Sequence, residues 1–162
     1  CRHGTGGRPA RAMRFHTDSG SLAFVDRLCG SYAQDVEHEV GDFVLKRADG
    51  LWAYQLAAIV DDIHQGVTDI VRGADLLDNT PRQIQLIRAL DAPVPRYMHL
   101  PLVLNPEGQK LSKQQGATPL DADNLLGELE RAWTHLGFER LGADSVSAFW
   151  RTALPFWQAK YA

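Results

Sequence analysis

The chain has 162 residues, 44% of them hydrophobic and 23% charged, with Lys+Arg 17 against Asp+Glu 20. That is long enough to close one hydrophobic core, and the slight negative balance excludes a protein that grips a polyanion by global positive charge; a nucleic-acid role needs a local basic face. No apolar run approaches the roughly 20 residues that span a bilayer, no charged-then-apolar secretory signal opens the chain, and Cys1 and Cys29 are too few for a disulfide scaffold, so a reducing, cytoplasmic setting is expected.

The first residue is Cys rather than Met, and Cys1-Arg2-His3-Gly4 resembles the middle of a chain, so the sequence reads as a piece of a longer one. Residues 1–11 mix Gly4, Gly6, Gly7 and Pro9 with arginines and cannot bury enough apolar surface to order themselves; an arm or linker is expected. Two short runs with apolar residues, 12–16 and 21–25, are split by Asp18-Ser19-Gly20 and predict a hairpin. Phe43-Val44-Leu45 and Leu51-Trp52-Ala53-Tyr54 flank Asp49-Gly50, a second hairpin signal, because Asp-Gly supplies the positive φ values that tight turns demand. Residues 56–60 are continuously apolar, which suits a strand or a helix buried on both sides.

Segment 67–71 favours a strand and is bounded by Gly66 and Gly73. Thr80-Pro81-Arg82-Gln83 then predicts a helix start, with Thr80 as N-cap, proline at the first helical position and glutamine three residues after the cap. Ile84, Ile87 and Leu90 share one face, and Pro93 stops the helix. Residues 97–104 predict another strand. Strand, helix and strand at this spacing imply a parallel βαβ unit with its sites at the carboxyl ends of the strands. Further on, Leu125, Leu126, Leu129, Ala132, Trp133 and Leu136 follow a helical period closed by Gly137, and Val146, Phe149, Trp150, Ala153 and Leu154 repeat it until Pro155, which is expected to end that helix.

The polar loop 105–116 carries Lys110, Ser112 and Lys113. Two ammonium groups bracketed by glycines suit charge building on a pyrophosphate leaving group; a solvated surface loop is the plain alternative. Arg72, at the end of the 67–71 strand, can hold a carboxylate through two parallel hydrogen bonds, or pair with Asp75 or Asp78. Tyr54 and the Asp61-Asp62 pair bracket the buried run and fit a polar substrate or an ordinary core edge. Cys1 and His3 are half a metal site at most, since zinc wants four ligands. His99 either faces a nucleotide or is a satisfied structural histidine; His16, His38, His64 and His135 lack partners at ligand spacing. Arg82, Arg88, Arg96, Arg131, Arg140 and Arg151 are scattered without defining a stripe.

In order, Gly41-Asp42-Phe43-Val44-Leu45, Asp49-Gly50-Leu51-Trp52-Ala53-Tyr54, Val60-Asp61-Asp62, Gln65-Gly66-Val67-Thr68, Val71-Arg72-Gly73-Ala74-Asp75, Thr80-Pro81-Arg82-Gln83-Ile84, His99-Leu100-Pro101-Leu102 and Lys110-Leu111-Ser112-Lys113-Gln114 resemble the class I glutamyl-tRNA synthetase family. Arg72-Gly73-Ala74-Asp75 and Lys113-Gln114 look most like its short branch, which acts on the queuosine base of tRNA(Asp). Only about fifty residues follow Lys113, too few for the anticodon-binding domain of the long branch. The resemblance implies an α/β fold: the C-terminal half of a Rossmann-type catalytic domain with a parallel sheet, followed by a helical segment. By the same resemblance, residues 1–40 end an insertion and return to the catalytic domain, 41–116 form its second half, and 117–162 are the helical segment.

The activity implied is adenylation of L-glutamate by ATP with Mg2+, then transfer to queuosine-containing tRNA(Asp). Tyr54 and Arg72 would bind glutamate, Lys113 would contact ATP, and Lys110 and Ser112 would belong to the same loop. Cys1 resembles the last ligand of the insertion's Zn2+ site, its companions lying outside this sequence. The family's His-x-Gly-His element is absent from these residues. A monomer away from membranes is expected. An ordinary glutamyl-tRNA synthetase, or a non-catalytic module on the same scaffold, is the alternative.

Overall fold

The computed structural model describes residues 6–7, 11–111 and 119–161, which divide into two compact units, Cys1–His99 and Leu100–Ala162. In the first, β1 (Met13–Phe15) pairs antiparallel with β4 (Phe43–Lys46), whereas β2 (Ser21–Asp26) pairs antiparallel with β3 (Gly30–Asp35), and a short α1 (Val36–Glu39) follows β3. The hairpin expected between 12–16 and 21–25 does not form: both runs are strands, but they enter different sheets. The tight reversal lies one strand later. There Asp26 Oδ1 accepts the backbone N–H of Leu28 at 3.0 Å and of Cys29 at 2.8 Å, and Gly30 takes φ 77°. An aspartate serving the amides two and three residues ahead fixes the turn through its side chain.

The Asp49-Gly50 turn forms in a shortened version. Gly50 has φ 86°, Arg47 N–H donates to the Leu51 carbonyl at 2.8 Å, and Lys46 bridges Trp52. Strand pairing stops there, and Tyr54 opens α2 (Tyr54–Gln65), so the apolar run 56–60 is helix. Ile59 is its buried residue, packed with Phe43, Leu86 and Ile87, and Gly66 ends the helix with φ 68°.

The four-stranded sheet has the order β3-β2-β6-β5, where β5 is Asp69–Gly73 and β6 is Arg96–Leu100. β2 and β6 are parallel, with Asp26 opposite Tyr97. At the start of β6, Arg96 N–H donates to the Thr68 carbonyl just before β5; Arg72, near the end of β5, reaches His99, near the end of β6. These two strands therefore also run the same way, and β3 is the antiparallel edge. The return from β5 to β6 passes through a 3-10 turn, Ala74–Asn79, and α3 (Thr80–Ala89), the expected βαβ unit.

Both sheets lean on α3. Ile84 packs with Leu22 and Tyr97 on the four-stranded sheet, while Leu86 and Ile87 pack with Phe43 and Ile59 on the other side. Burying one such side chain contributes about 1.5–3 kcal/mol, so this helix is the centre of the unit's core. Pro81 occupies the first turn as expected, but the cap position falls to Asn79, and Thr80 sends its hydroxyl elsewhere.

In the second unit, α4 (Leu125–His135) begins at Asn124, whose side chain accepts the Gly127 N–H, and Gly137 follows it with φ 79°. α5 (Val146–Tyr161) continues through Pro155 rather than ending there. Proline removes one helical hydrogen bond. Beyond it, Trp157 and Tyr161 extend the face begun by Phe149 and Ala153, and both pack on Phe138 with ring centroids 6.2 and 5.9 Å away. That aromatic burial offsets the lost bond. Among the described residues no helix is long and apolar enough to cross a membrane.

Candidate active site

Alternation along the strands decides what meets inside. On β2, Leu22, Phe24 and Asp26 point to one face; on β6, Tyr97 and His99 do; on β5, Ile70 and Arg72 do, because residues two apart share a face. Each strand is apolar first and polar at its carboxyl end. Since β2, β6 and β5 are neighbours running the same way, their carboxyl ends bring Asp26, His99 and Arg72 into one row. This is the end of an α/β sheet where ligands bind.

The row is continuous. Asp26 and His99 are 2% and 0% exposed, and Asp26 Oδ2 lies 2.6 Å from His99 Nδ1. Arg72 Nε donates to His99 Nε2 at 3.0 Å, and Arg72 Nη2 donates to Thr80 Oγ1 at 2.8 Å and to the Leu76 carbonyl at 3.4 Å. Thr80 Oγ1 stands 3.2 Å from His99 Nε2 and 3.3 Å from the Leu76 carbonyl, which explains why this hydroxyl does not cap α3. A guanidinium only donates, so His99 Nε2 must carry a lone pair and the imidazole proton sits on Nδ1, facing Asp26. Both ring nitrogens of His99 are thus occupied.

Burial raises the Asp26 carboxyl, but N–H bonds from Cys29, Leu28 and His99 together with the His99 ring hold it below its ordinary value of 3.8. Burial also pushes the Arg72 guanidinium down, opposed by Tyr97, Tyr54, Asp62 and Asp26; an arginine stays charged regardless. Arg72 lies 5.4 Å from the centre of the Tyr97 ring. The pairing with Asp75 or Asp78 raised by the sequence is replaced by His99, Thr80 and the Leu76 carbonyl.

Tyr54 is the first residue of α2 and is 63% exposed. Beside it a chain of amides begins: Gln83 Nε2 donates to Gln55 Oε1 at 2.9 Å, and Gln55 Nε2 to Asn79 Oδ1 at 3.0 Å. A cavity of about 100 Å³ has Gln83, Tyr97, Asp62 and Thr68 in its wall. Asp61 and Asp62 sit on α2 rather than at a strand end.

Lys110 belongs to the second unit. Asn105 Oδ1 accepts Gln109 N–H at 2.7 Å, Gly108 has φ 78°, and Lys110 bridges Leu104, so the first part of the 105–116 loop is a tight antiparallel turn that returns the chain at Lys110. Ser112 and Lys113, like Cys1, lie outside the described residues. Among the described residues no group of three or more His, Cys, Asp or Glu is arranged to hold a metal.

The family described as tRNA synthetases class I (E and Q), catalytic domain, matches residues 4–146. The chain belongs to this family. Within it, the chain is similar to proteins named glutamyl-Q tRNA(Asp) synthetase: 51% identical over 100% of the chain to that of Ralstonia nicotianae, and 52% identical over 98% to that of Leptothrix cholodnii. It spans about half of their length, 52% and 54%. A solved structure, a glutamate tRNA ligase from Elizabethkingia meningosepticum in complex with its amino acid, is 31% identical with a TM-score of 0.58, over 65% of this chain and 21% of that one. The short-branch resemblance and the α/β fold read from the sequence therefore hold.

Sequence reading missed Asp26, and with it the role of His99 and Thr80. The signal is the continuation of the Leu22 and Phe24 alternation onto an aspartate, which places a carboxylate on an inward face.

Proposed function

We propose that the protein containing this chain activates glutamate with ATP and transfers the glutamyl group to the cyclopentene-diol of queuosine in the anticodon of tRNA(Asp). The observation that carries this reading is the 51% and 52% identity, over nearly the whole chain, to relatives bearing that name. The chain would supply the second half of the Rossmann-type catalytic domain, 41–116, and a helical segment, 117–162.

In the first step a glutamate carboxylate oxygen attacks the α-phosphorus of ATP and pyrophosphate leaves. In the second, a diol hydroxyl attacks the mixed anhydride and AMP leaves. Arg72 pairs with the side-chain carboxylate of glutamate, and the Tyr54 hydroxyl contacts the same substrate from the head of α2; Tyr54 is among the groups that oppose the downward push of burial on the Arg72 guanidinium. Lys113 contacts ATP, with Lys110 and Ser112 in the same loop, where ammonium groups meet charge that develops as pyrophosphate departs. Mg2+ accompanies ATP. Cys1 contributes one zinc donor, and one thiolate needs companions from elsewhere in the protein. The working setting is a cytoplasmic monomer.

The full-length protein should exchange pyrophosphate with ATP when glutamate is present, and Lys113→Ala should slow that exchange by roughly 100-fold or more, as for loss of a group that stabilises developing charge. It should charge tRNA(Asp) that carries queuosine and leave unmodified tRNA(Asp) and tRNA(Glu) uncharged. Charging of tRNA(Glu) instead assigns the ordinary synthetase; absence of exchange makes the protein a non-catalytic module.

A further inference from the structure

We infer that Asp26 and His99 are positioning residues that lock the Arg72 guanidinium in the orientation that receives glutamate. This rests on the reading of Arg72 as a glutamate ligand. Asp26 Oδ1 is committed to three backbone donors: Leu28 at 3.0 Å, Cys29 at 2.8 Å and His99 at 3.2 Å. Its Oδ2 is left for His99 Nδ1, which fixes the imidazole tautomer and leaves Nε2 as an acceptor. That acceptor takes Arg72 Nε, while Thr80 and the Leu76 carbonyl take Nη2.

One edge of the guanidinium is therefore held by the protein. Nη1 takes no part in these bonds, which leaves its two N–H groups for a substrate carboxylate. A long, rotatable side chain is converted into a fixed donor, and the ordering is done before substrate arrives.

The tautomer argument makes a sharp prediction. In Asp26→Asn the three backbone N–H groups hold the amide oxygen at the Oδ1 position, so the amide NH2 must face His99 Nδ1. That nitrogen must then accept, its proton moves to Nε2, and Nε2–H opposes Arg72 Nε–H. The substitution is isosteric, yet it should release Arg72.

In the full-length protein, glutamate-dependent pyrophosphate exchange by Asp26→Asn should show a KM for glutamate raised roughly 10- to 100-fold, the weight of one charge-assisted hydrogen bond. KM for ATP should stay within about twofold. His99→Asn, which keeps a donor for Asp26 but no acceptor for Arg72, should behave like Asp26→Asn. His99→Gln, whose oxygen reaches the Nε2 position, should recover part of the affinity.

Arg72→Lys separates the two levels. An unchanged glutamate KM there sinks the glutamate-ligand reading and this inference with it. A raised KM in Arg72→Lys with unchanged values in folded Asp26→Asn and His99→Asn overturns the positioning role alone. If those variants do not fold, nitrogen NMR of His99 in the wild-type protein decides: protonated Nδ1 with bare Nε2 supports the inference, and the reverse tautomer overturns it.

Discussion

Among the described residues two carboxylates are buried, one in each compact unit: Asp26, 2% exposed, and Glu130, 4% exposed. Both are satisfied by backbone amides. Glu130 Oε2 accepts Leu141 N–H at 3.0 Å, and Oε1 accepts Ala143 N–H at 3.3 Å. There its bonds end, having tied the segment after α4 back onto α4. Asp26 has the same kind of amide support on one oxygen, but the other leads through His99 to a guanidinium at the ligand end of the sheet. Burial alone does not separate a structural carboxylate from a functional one. On the proposed reading of Arg72, where the chain of hydrogen bonds terminates does.

The strongest way to sharpen this contrast is to remove the apolar support around Glu130. Trp133 is 5% exposed, stacks on Phe138 at 3.8 Å and donates Nε1–H to the Glu139 carbonyl at 3.1 Å. Trp133→Ala should cost about 3–5 kcal/mol in denaturant unfolding, the range for deleting a buried large aromatic. Glutamate KM in the folded fraction should not move. A KM shift as large as that of Asp26→Asn would mean that the second unit's core also governs the glutamate site.

Glu130→Gln is the milder probe. Its amide must turn an NH2 toward one of two backbone N–H donors, leaving that donor unsatisfied, at about 1–3 kcal/mol. The matched pair is informative: both substitutions replace one buried carboxylate by its amide, yet Glu130→Gln should appear in stability and Asp26→Asn in glutamate affinity. Urea midpoints and KM values measured side by side would break the comparison if both variants showed the same signature.

Much of this architecture is visible in the chain itself. The 80–90 helix with Pro81 in its first turn, the flanking strands and the Asp49-Gly50 turn follow from local chemistry, and Arg72 is where a strand-end ligand belongs. What local chemistry cannot see is non-local pairing. β1 chooses β4 over the adjacent β2, because strand partners are selected by the face each strand buries rather than by the nearest turn. Pro155 misleads for a related reason: a helix stop judged from one residue ignores Trp157 and Tyr161, whose packing on Phe138 carries the helix onward. Thr80 reads as a cap, but a hydroxyl within reach of a half-buried guanidinium is drawn to the charge. Asp26 is concealed because His99, and through it Arg72, come from β6 and β5, more than forty residues away in sequence.

The smallest expected effect concerns Tyr97, which shares the inner face of β6 with His99 and supports Arg72 through its ring. Its Oη is buried without a hydrogen-bond partner among the described residues, and burial pushes the phenol from its ordinary value of 10.0 up to about 12. A group whose folded pKa is raised contributes stability that is complete below the unfolded value and is lost as pH climbs toward the folded one, here between about 10 and about 12. Tyr97→Phe keeps the ring beside Arg72 and deletes only the hydroxyl. At neutral pH it should change stability by less than about 1 kcal/mol, in either direction, since an unsatisfied buried hydroxyl contributes little. Above pH 10 its unfolding midpoint should fall less steeply than that of the wild type. Parallel alkaline curves for the two proteins would show that Tyr97 ionises in contact with solvent, and the dry wall behind Arg72 would have to be sought in Asp26 and His99 alone.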